Sequence, residues 1–100
     1  MKNKDYTIIP FSNKYISSFR ALVTEYLPGS EPDTIFDKFA SANGTILLAV
    51  HEESVLGCVF GWPTKRAGEY LLDGIAVTFE QWRTGIGSAL LKAYEQAVVQ

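Results

Sequence analysis

Leu71-Leu72-Asp73-Gly74-Ile75-Ala76-Val77-Thr78-Phe79-Glu80-Gln81-Trp82-Arg83-Thr84-Gly85-Ile86-Gly87-Ser88 reads as a strand, a short loop and the first turn of a helix. Asp-Gly between apolar residues ordinarily signals a hairpin turn. Here that turn would leave arms of only Tyr70–Leu72 and Ile75–Val77, so a glycine bulge inside one strand, Tyr70 to Val77, is the better reading. A bulge unpairs backbone groups. The helix that follows opens with G-x-G, so its first N–H groups project with no side chain over them, a geometry that attracts anions. Arg83 adds a fixed positive charge, and Thr84 and Ser88 add hydroxyls, a set suited to phosphate or pyrophosphate. The competing reading is that the glycines only permit close helix–sheet packing. A P-loop is excluded because no lysine follows Gly85 or Gly87, and a dinucleotide fingerprint fits poorly because Leu90 stands where a third small residue belongs.

Working outward, Ile86 to Val99 has the apolar spacing of an amphipathic helix, with Ile86, Leu90 and Tyr94 on its inner face. Upstream, Tyr6 to Ile9 is a short strand before Pro10. Ser12 or Asn13 caps a helix carrying Tyr15, Phe19, Leu22 and Tyr26. Leu27-Pro28-Gly29 breaks that helix, and Ser30-Glu31-Pro32-Asp33 starts another, with Ser30 as the cap and Asn43-Gly44 closing it. Thr45 to Val50 is apolar on both faces, as a covered central strand is, and Val55 to Trp62 follows closely enough to form a hairpin with it. Strict alternation in the latter strand puts Leu56, Cys58, Phe60 and Trp62 on one face and Val55, Gly57, Val59 and Gly61 on the other. The expected order is β-α-α-β-β-β-α, an α/β (α+β) layered domain with a mostly antiparallel sheet.

The chain has 100 residues, 47% of them hydrophobic and 20% charged, enough for one globular domain and not for two. A net charge of −2 lacks the basic field that nonspecific nucleic-acid or anionic-membrane binding requires, so neither partner is expected. Cys58 is the only cysteine and His51 the only histidine, which rules out an internal disulfide and a Cys/His zinc site, and no metal is expected. The first residues hold only a four-residue apolar run, far from a signal core, and cytoplasm is the expected location.

With the motif in place, Leu72 to Leu91 resembles the acetyl-CoA-binding motif of the N-acetyltransferases of the GNAT superfamily, and the element order resembles the first two-thirds of their acyl-CoA N-acyltransferase-type fold. The resemblance implies that Ile75, Ala76 and Val77 contact the pantetheine arm and thioester through the backbone. It implies that Arg83, Thr84, Gly85, Ile86, Gly87 and Ser88 cradle the pyrophosphate of acetyl-CoA as cosubstrate. Two departures stand out. Trp82 occupies the place where the family usually carries Gln or Arg, with Gln81 and Arg83 on either side, and the family's C-terminal strands and helix are missing. Residues 1–100 are therefore expected to be one incomplete domain with little turnover, pairing as a homodimer through the edge of strand 70–77.

Transfer to an amine needs a base, an N–H for the oxyanion and an acid for the thiolate. Asp73, beside the bulge, is the candidate base, with Glu69 and Glu80 behind it. The acceptor is an amine of a small molecule or a peptide, and the alternative function is a module that holds an acyl-CoA or phosphate ligand without transfer. His51 reads as a solvated turn residue and Cys58 as packed core. Trp62, Tyr26 and Tyr70 are either acceptor-pocket walls or packing, and Lys65-Arg66 is a solvated loop pair.

Overall fold

In the strand Thr45–His51 alternate apolar side chains enter two separate cores. Ile46, Leu48 and Val50 join one, and Leu47 and Ala49 the other. A strand with no polar face is stable only between two covering layers, and the rest of the chain supplies them. The computed structural model describes residues 6–66 and 68–98. The leading lysines Lys2 and Lys4, Ala67, Val99 and Gln100 lie outside the described residues.

Four strands, β1 (Thr7–Pro10), β2 (Thr45–His51), β3 (Ser54–Pro63) and β4 (Tyr70–Val77), form an antiparallel sheet in the order β1-β2-β3-β4. The helices α1 (Ile16–Tyr26) and α2 (Pro32–Ser41) cover one face, where Phe19, Leu22, Val23 and Ile35 are buried. The helix α3 (Ile86–Val98) covers the other with Ile86, Leu90 and Tyr94. Burial of each such side chain stabilises the fold by ~1.5–3 kcal/mol. The expected order β-α-α-β-β-β-α is the observed one, giving a mixed α/β fold with a four-stranded antiparallel sheet and three α-helices.

Three local expectations need correction. Ser30 does not cap α2: the cap position is Glu31, and the Ser30 N–H donates to the Leu27 carbonyl at 2.8 Å. Pro10 does not stop β1 but ends it in register with Leu47, which an edge strand tolerates. The alternation in β3 also breaks. Ala49 pairs with Gly57 and Val50 with Val55, so Leu56 is an extra residue. Val55 consequently shares the face of Cys58 and Phe60, while Leu56 packs on the α3 side.

A second bulge lies between β3 and β4. Phe60 pairs with Gly74 and Gly61 with Leu72, so Asp73 has no partner of its own, which is the glycine bulge that the Asp-Gly dipeptide predicted. The Phe60 ring lies across Gly74, where any Cβ would collide with it. That ring is fully buried and meets Phe19 edge-on at 6.0 Å and Trp62 in a stack at 6.0 Å, contacts that leave it no room to give way. Gly74→Ala is therefore expected to destabilise the fold by ~1–3 kcal/mol through overpacking. The penalty should shrink in a Phe60→Leu background, read as a coupling energy from urea midpoints.

Candidate functional site

The bulge decides what β4 presents. Because Asp73 is the extra residue, Asp73 and Gly74 both turn toward the α2 side, and the regular alternation resumes after them. Asp73 is exposed and lines a cavity of about 350 Å³ together with Glu31, Thr34, Lys38 and the buried Trp62. Glu31, Thr34 and Lys38 are spaced so that one face of α2 carries them all. That spacing was readable in the sequence, but its meeting with Trp62 and Asp73 was not.

The other edge of β4 is open. The Thr78 N–H donates to the Leu56 carbonyl of β3 at 2.9 Å, so by alternation the polar groups of Val77 and Ile75 face away from the sheet. Five of the sequence-predicted ligand residues, Ile75, Ala76, Val77, Arg83 and Gly87, line one cavity of about 320 Å³ along this edge, and Gln81 and Trp82 complete it. A Cβ on Gly87 would meet only the Val77 side chain, at 3.7 Å, so the helix start leaves space in front of it. The buried Oε1 of Gln81 has no hydrogen-bond partner, an unsatisfied acceptor in the wall of the cavity. Open strand amides, a bare helix start, Arg83 and an orphaned acceptor fit a long ligand with amide groups and a phosphate end.

The remaining predicted residues are placed differently. The Thr84 hydroxyl donates to the Gln81 carbonyl at 2.6 Å, so its proton is spent on the loop. Ile86 is fully buried in the core beneath α3, and only its backbone belongs to the helix start. Gly85 has φ +93 and Arg83 has φ +69. Two left-handed residues around Thr84 turn the chain from the short 3-10 turn Phe79–Gln81 into α3, and Arg83 pays ~1–3 kcal/mol for it. Ser88 is exposed on the first turn of α3.

Trp82, the residue that departs from the family pattern, lies over the edge of β4. Its indole N–H donates to the Val77 carbonyl at 2.8 Å, and its half-exposed ring meets Phe79 edge-on at 5.1 Å. The Tyr26 hydroxyl accepts the Phe79 N–H at 2.8 Å. Tyr26 thus tethers the loop and lines a cavity with Glu25 and Glu80, not the one that holds Asp73. Glu80 therefore lines a different cavity from Asp73, while Glu69 accepts a hydrogen bond from the Thr64 hydroxyl at 2.8 Å in the β3–β4 turn, and neither carboxylate lines the cavity of Asp73. Tyr70 lines a groove on the α3 side with Leu72 and Tyr94. The Tyr94 hydroxyl donates to the Leu71 carbonyl at 3.1 Å. Burial, with the nearby Tyr70 and Asp73, raises its pKa and keeps it protonated.

His51 is half-buried at the end of β2, with Nε2 3.8 Å from the Glu52 carboxylate. Among the described residues no group of three or more His, Cys, Asp or Glu could hold a metal ion, and no helix is long and apolar enough to cross a membrane.

A model of the acetyltransferase (GNAT) family matches residues 12–100. No curated protein matches the chain. Among solved structures, a GNAT-family protein from Desulfovibrio desulfuricans superposes with a TM-score of 0.77 at 20% identity, covering 93% of this chain and 65% of its own. The ribosomal-protein-S18-alanine N-acetyltransferase of Escherichia coli gives 0.78 at 15% identity, with 93% and 59% covered. The aminoglycoside 6'-N-acetyltransferase of Enterococcus faecium gives 0.77 at 17%, with 92% and 53% covered. The chain spans less than two thirds of the length of each of these three.

Cys58 is excluded from chemistry by its environment. Burial pushes its thiol from 9.0 up to about 12, only partly offset by a backbone hydrogen bond at Ala76. The unfolded chain loses this proton first, so stability should fall as pH rises from about 9 toward 12 and be unaffected by Cys58 below that window. A disulfide reagent at pH 8 should label the folded protein slower than the urea-unfolded chain by about 10³ or more, since labelling requires opening.

Proposed function

The chain belongs to the acetyltransferase (GNAT) family, and from that premise we propose that it binds acetyl-CoA along the open edge of β4 and serves its transfer to an amine. The observation that carries this reading is the single cavity shared by the edge residues Ile75, Ala76 and Val77 and by Arg83 and Gly87 of the helix start. The outward N–H and C=O of Ile75 and the outward N–H of Val77, whose carbonyl already accepts the Trp82 indole N–H, suit the amides of a pantetheine arm. Arg83 and the N–H groups at the start of α3 suit a pyrophosphate. Gln81, with its orphaned oxygen, suits an N–H of the same ligand.

Acetyl-CoA supplies a thioester whose acyl carbon an amine can attack, with a C–N bond formed, the C–S bond broken and thiol released. The protein's part is to hold the arm along β4, to present outward N–H groups where charge develops on the acyl oxygen, and to take a proton from the incoming ammonium. We assign Asp73 the last task because it sits at the bulge of β4, on the wall of the cavity over Trp62. The buried, single thiol of Cys58 is consistent with a reducing compartment such as the cytoplasm.

A thermal-shift comparison of acetyl-CoA, NADH and ATP tests the ligand class. Saturation at ~100 times Kd should stabilise the protein by about 2.7 kcal/mol with acetyl-CoA and much less with the others. Gly87→Leu is a useful probe because a Cβ at that position makes only an ordinary contact, 3.7 Å from the Val77 side chain. It should keep its Tm and lose acetyl-CoA affinity by at least tenfold, and unchanged affinity in that variant removes the helix start from the site. Asp73→Asn should leave acetyl-CoA affinity intact and lower amine-dependent thiol release by about 10²–10⁴. Acetyl-CoA binding with no amine-dependent thiol release would instead support a binding module without transfer.

A further inference from the structure

The acceptor cavity already contains an alkylammonium, the chain's own. Lys38 Nζ lies 5.6 Å from the centroid of the Trp62 ring. Trp62 is buried and forms the floor of the cavity, while Lys38, on α2, reaches it from the exposed side. A cation over an indole face is attracted by the ring quadrupole, more strongly as water is excluded, so this ring is a seat for positive charge. Glu31 and Asp73 line the same cavity, and against the single Lys38 they leave one carboxylate in excess. Thr34 adds a hydroxyl beside Glu31 on the same face of α2.

We infer that the cavity over Trp62 selects a diamine, a primary alkylamine that carries a second, permanently protonated nitrogen on an apolar spacer. The inference rests on the acetyl-transfer reading and names its acceptor. An incoming ammonium displaces Lys38 from the ring and sits between Trp62 and Glu31. The reacting nitrogen cannot be the one recognised there, because it must give its proton to the Asp73 carboxylate before it attacks. Its lone pair then forms the C–N bond, the C–S electrons leave with sulfur, the thiolate takes up the proton that the new amide nitrogen sheds, and the second nitrogen stays charged throughout. The division of the two carboxylates between the two nitrogens is what makes a diamine the matched ligand. A monoamine satisfies only one of them.

Trp82→Phe leaves Trp62 as the only tryptophan, so its emission reports on this cavity alone. In that background, 1,5-diaminopentane should shift the emission saturably and bind at least fivefold more tightly than 1-aminopentane. Glu31→Gln should remove that advantage, and Lys38→Met, by vacating the ring, should strengthen diamine binding at least threefold. Far-UV circular dichroism confirms that each variant is folded. Tighter binding of the zwitterion 6-aminohexanoate overturns the inference in favour of an acceptor that uses Lys38 as an anion site. Equal response to 1-pentanol, weakened diamine binding in Lys38→Met, or no saturable response in any variant overturns it as well. Acetyl-CoA stabilisation is read separately on the chain that keeps Trp82, because that residue lines the edge cavity. Stabilisation without diamine binding defeats this inference alone, and diamine binding without stabilisation defeats the transfer reading while leaving the cation seat in place.

Discussion

The ring of Phe60 lying across Gly74 is the constraint on which the site depends. A side chain at position 74 would meet that ring, and the ring cannot retreat because Phe19 and Trp62 hold it from either side. With Gly74 fixed opposite Phe60 and Leu72 opposite Gly61, Asp73 is forced out of the ladder. Everything functional on β4 follows from that single offset. Asp73 turns toward α2 and Trp62, whereas Ile75 and Val77 resume the alternation with their polar groups on the open edge. A core packing contact thus sets the position of the polar site whose floor, Trp62, the same Phe60 ring stacks against.

The sequence made the element order, the bulge and the glycine-flanked helix start legible because each is a local property. Asp73-Gly74 in a strand too short to split, and Gly85-Ile86-Gly87 at a helix start, carry their meaning within a few residues. Errors arose where a non-local contact decides. Strict alternation in β3 failed at Leu56, because the pairing of Val50 with Val55 is a property of two strands and not of one. For Tyr26 the sequence leaves pocket wall and packing both open, and its hydroxyl's partner, the Phe79 amide far along the chain, has no local signal. Thr84 read as a free hydroxyl, yet the left-handed turn through Arg83 and Gly85 folds it back onto Gln81. Lys38 on Trp62 had no sequence signal at all, since a helix and a strand must first pack to bring them together.

The loop between β4 and α3 is held from both sides. Tyr26 of α1 takes the Phe79 amide, and Trp82 gives its indole N–H to the Val77 carbonyl. Where a Gln or Arg in the GNAT pattern would offer a polar side chain, this chain offers a ring whose only donor is used on its own strand. The polar work at this end of the cavity therefore shifts to the neighbours, the orphaned oxygen of Gln81 and the strained, exposed Arg83. A hydrogen bond to a carbonyl is worth ~0.5–1.5 kcal/mol net, so Trp82 shapes the slot without making it rigid against a ligand that offers a replacement N–H.

Charge along β4 is arranged end to end. Arg83 and the start of α3 lie beyond Val77, while Asp73 lies at the bulge and Glu31 shares its cavity. A ligand with an anionic phosphate end and an uncharged arm can lie along the edge in only one direction without placing phosphate against carboxylate, a juxtaposition that costs several kcal/mol across an interface. On the proposed reading the same polarity would favour a cationic partner at the opposite end, toward Asp73 and Trp62, and two ligands of opposite charge would then meet at the bulge. This sorting needs no pocket of high affinity, because orientation comes from the sign of the charges and position comes from the strand.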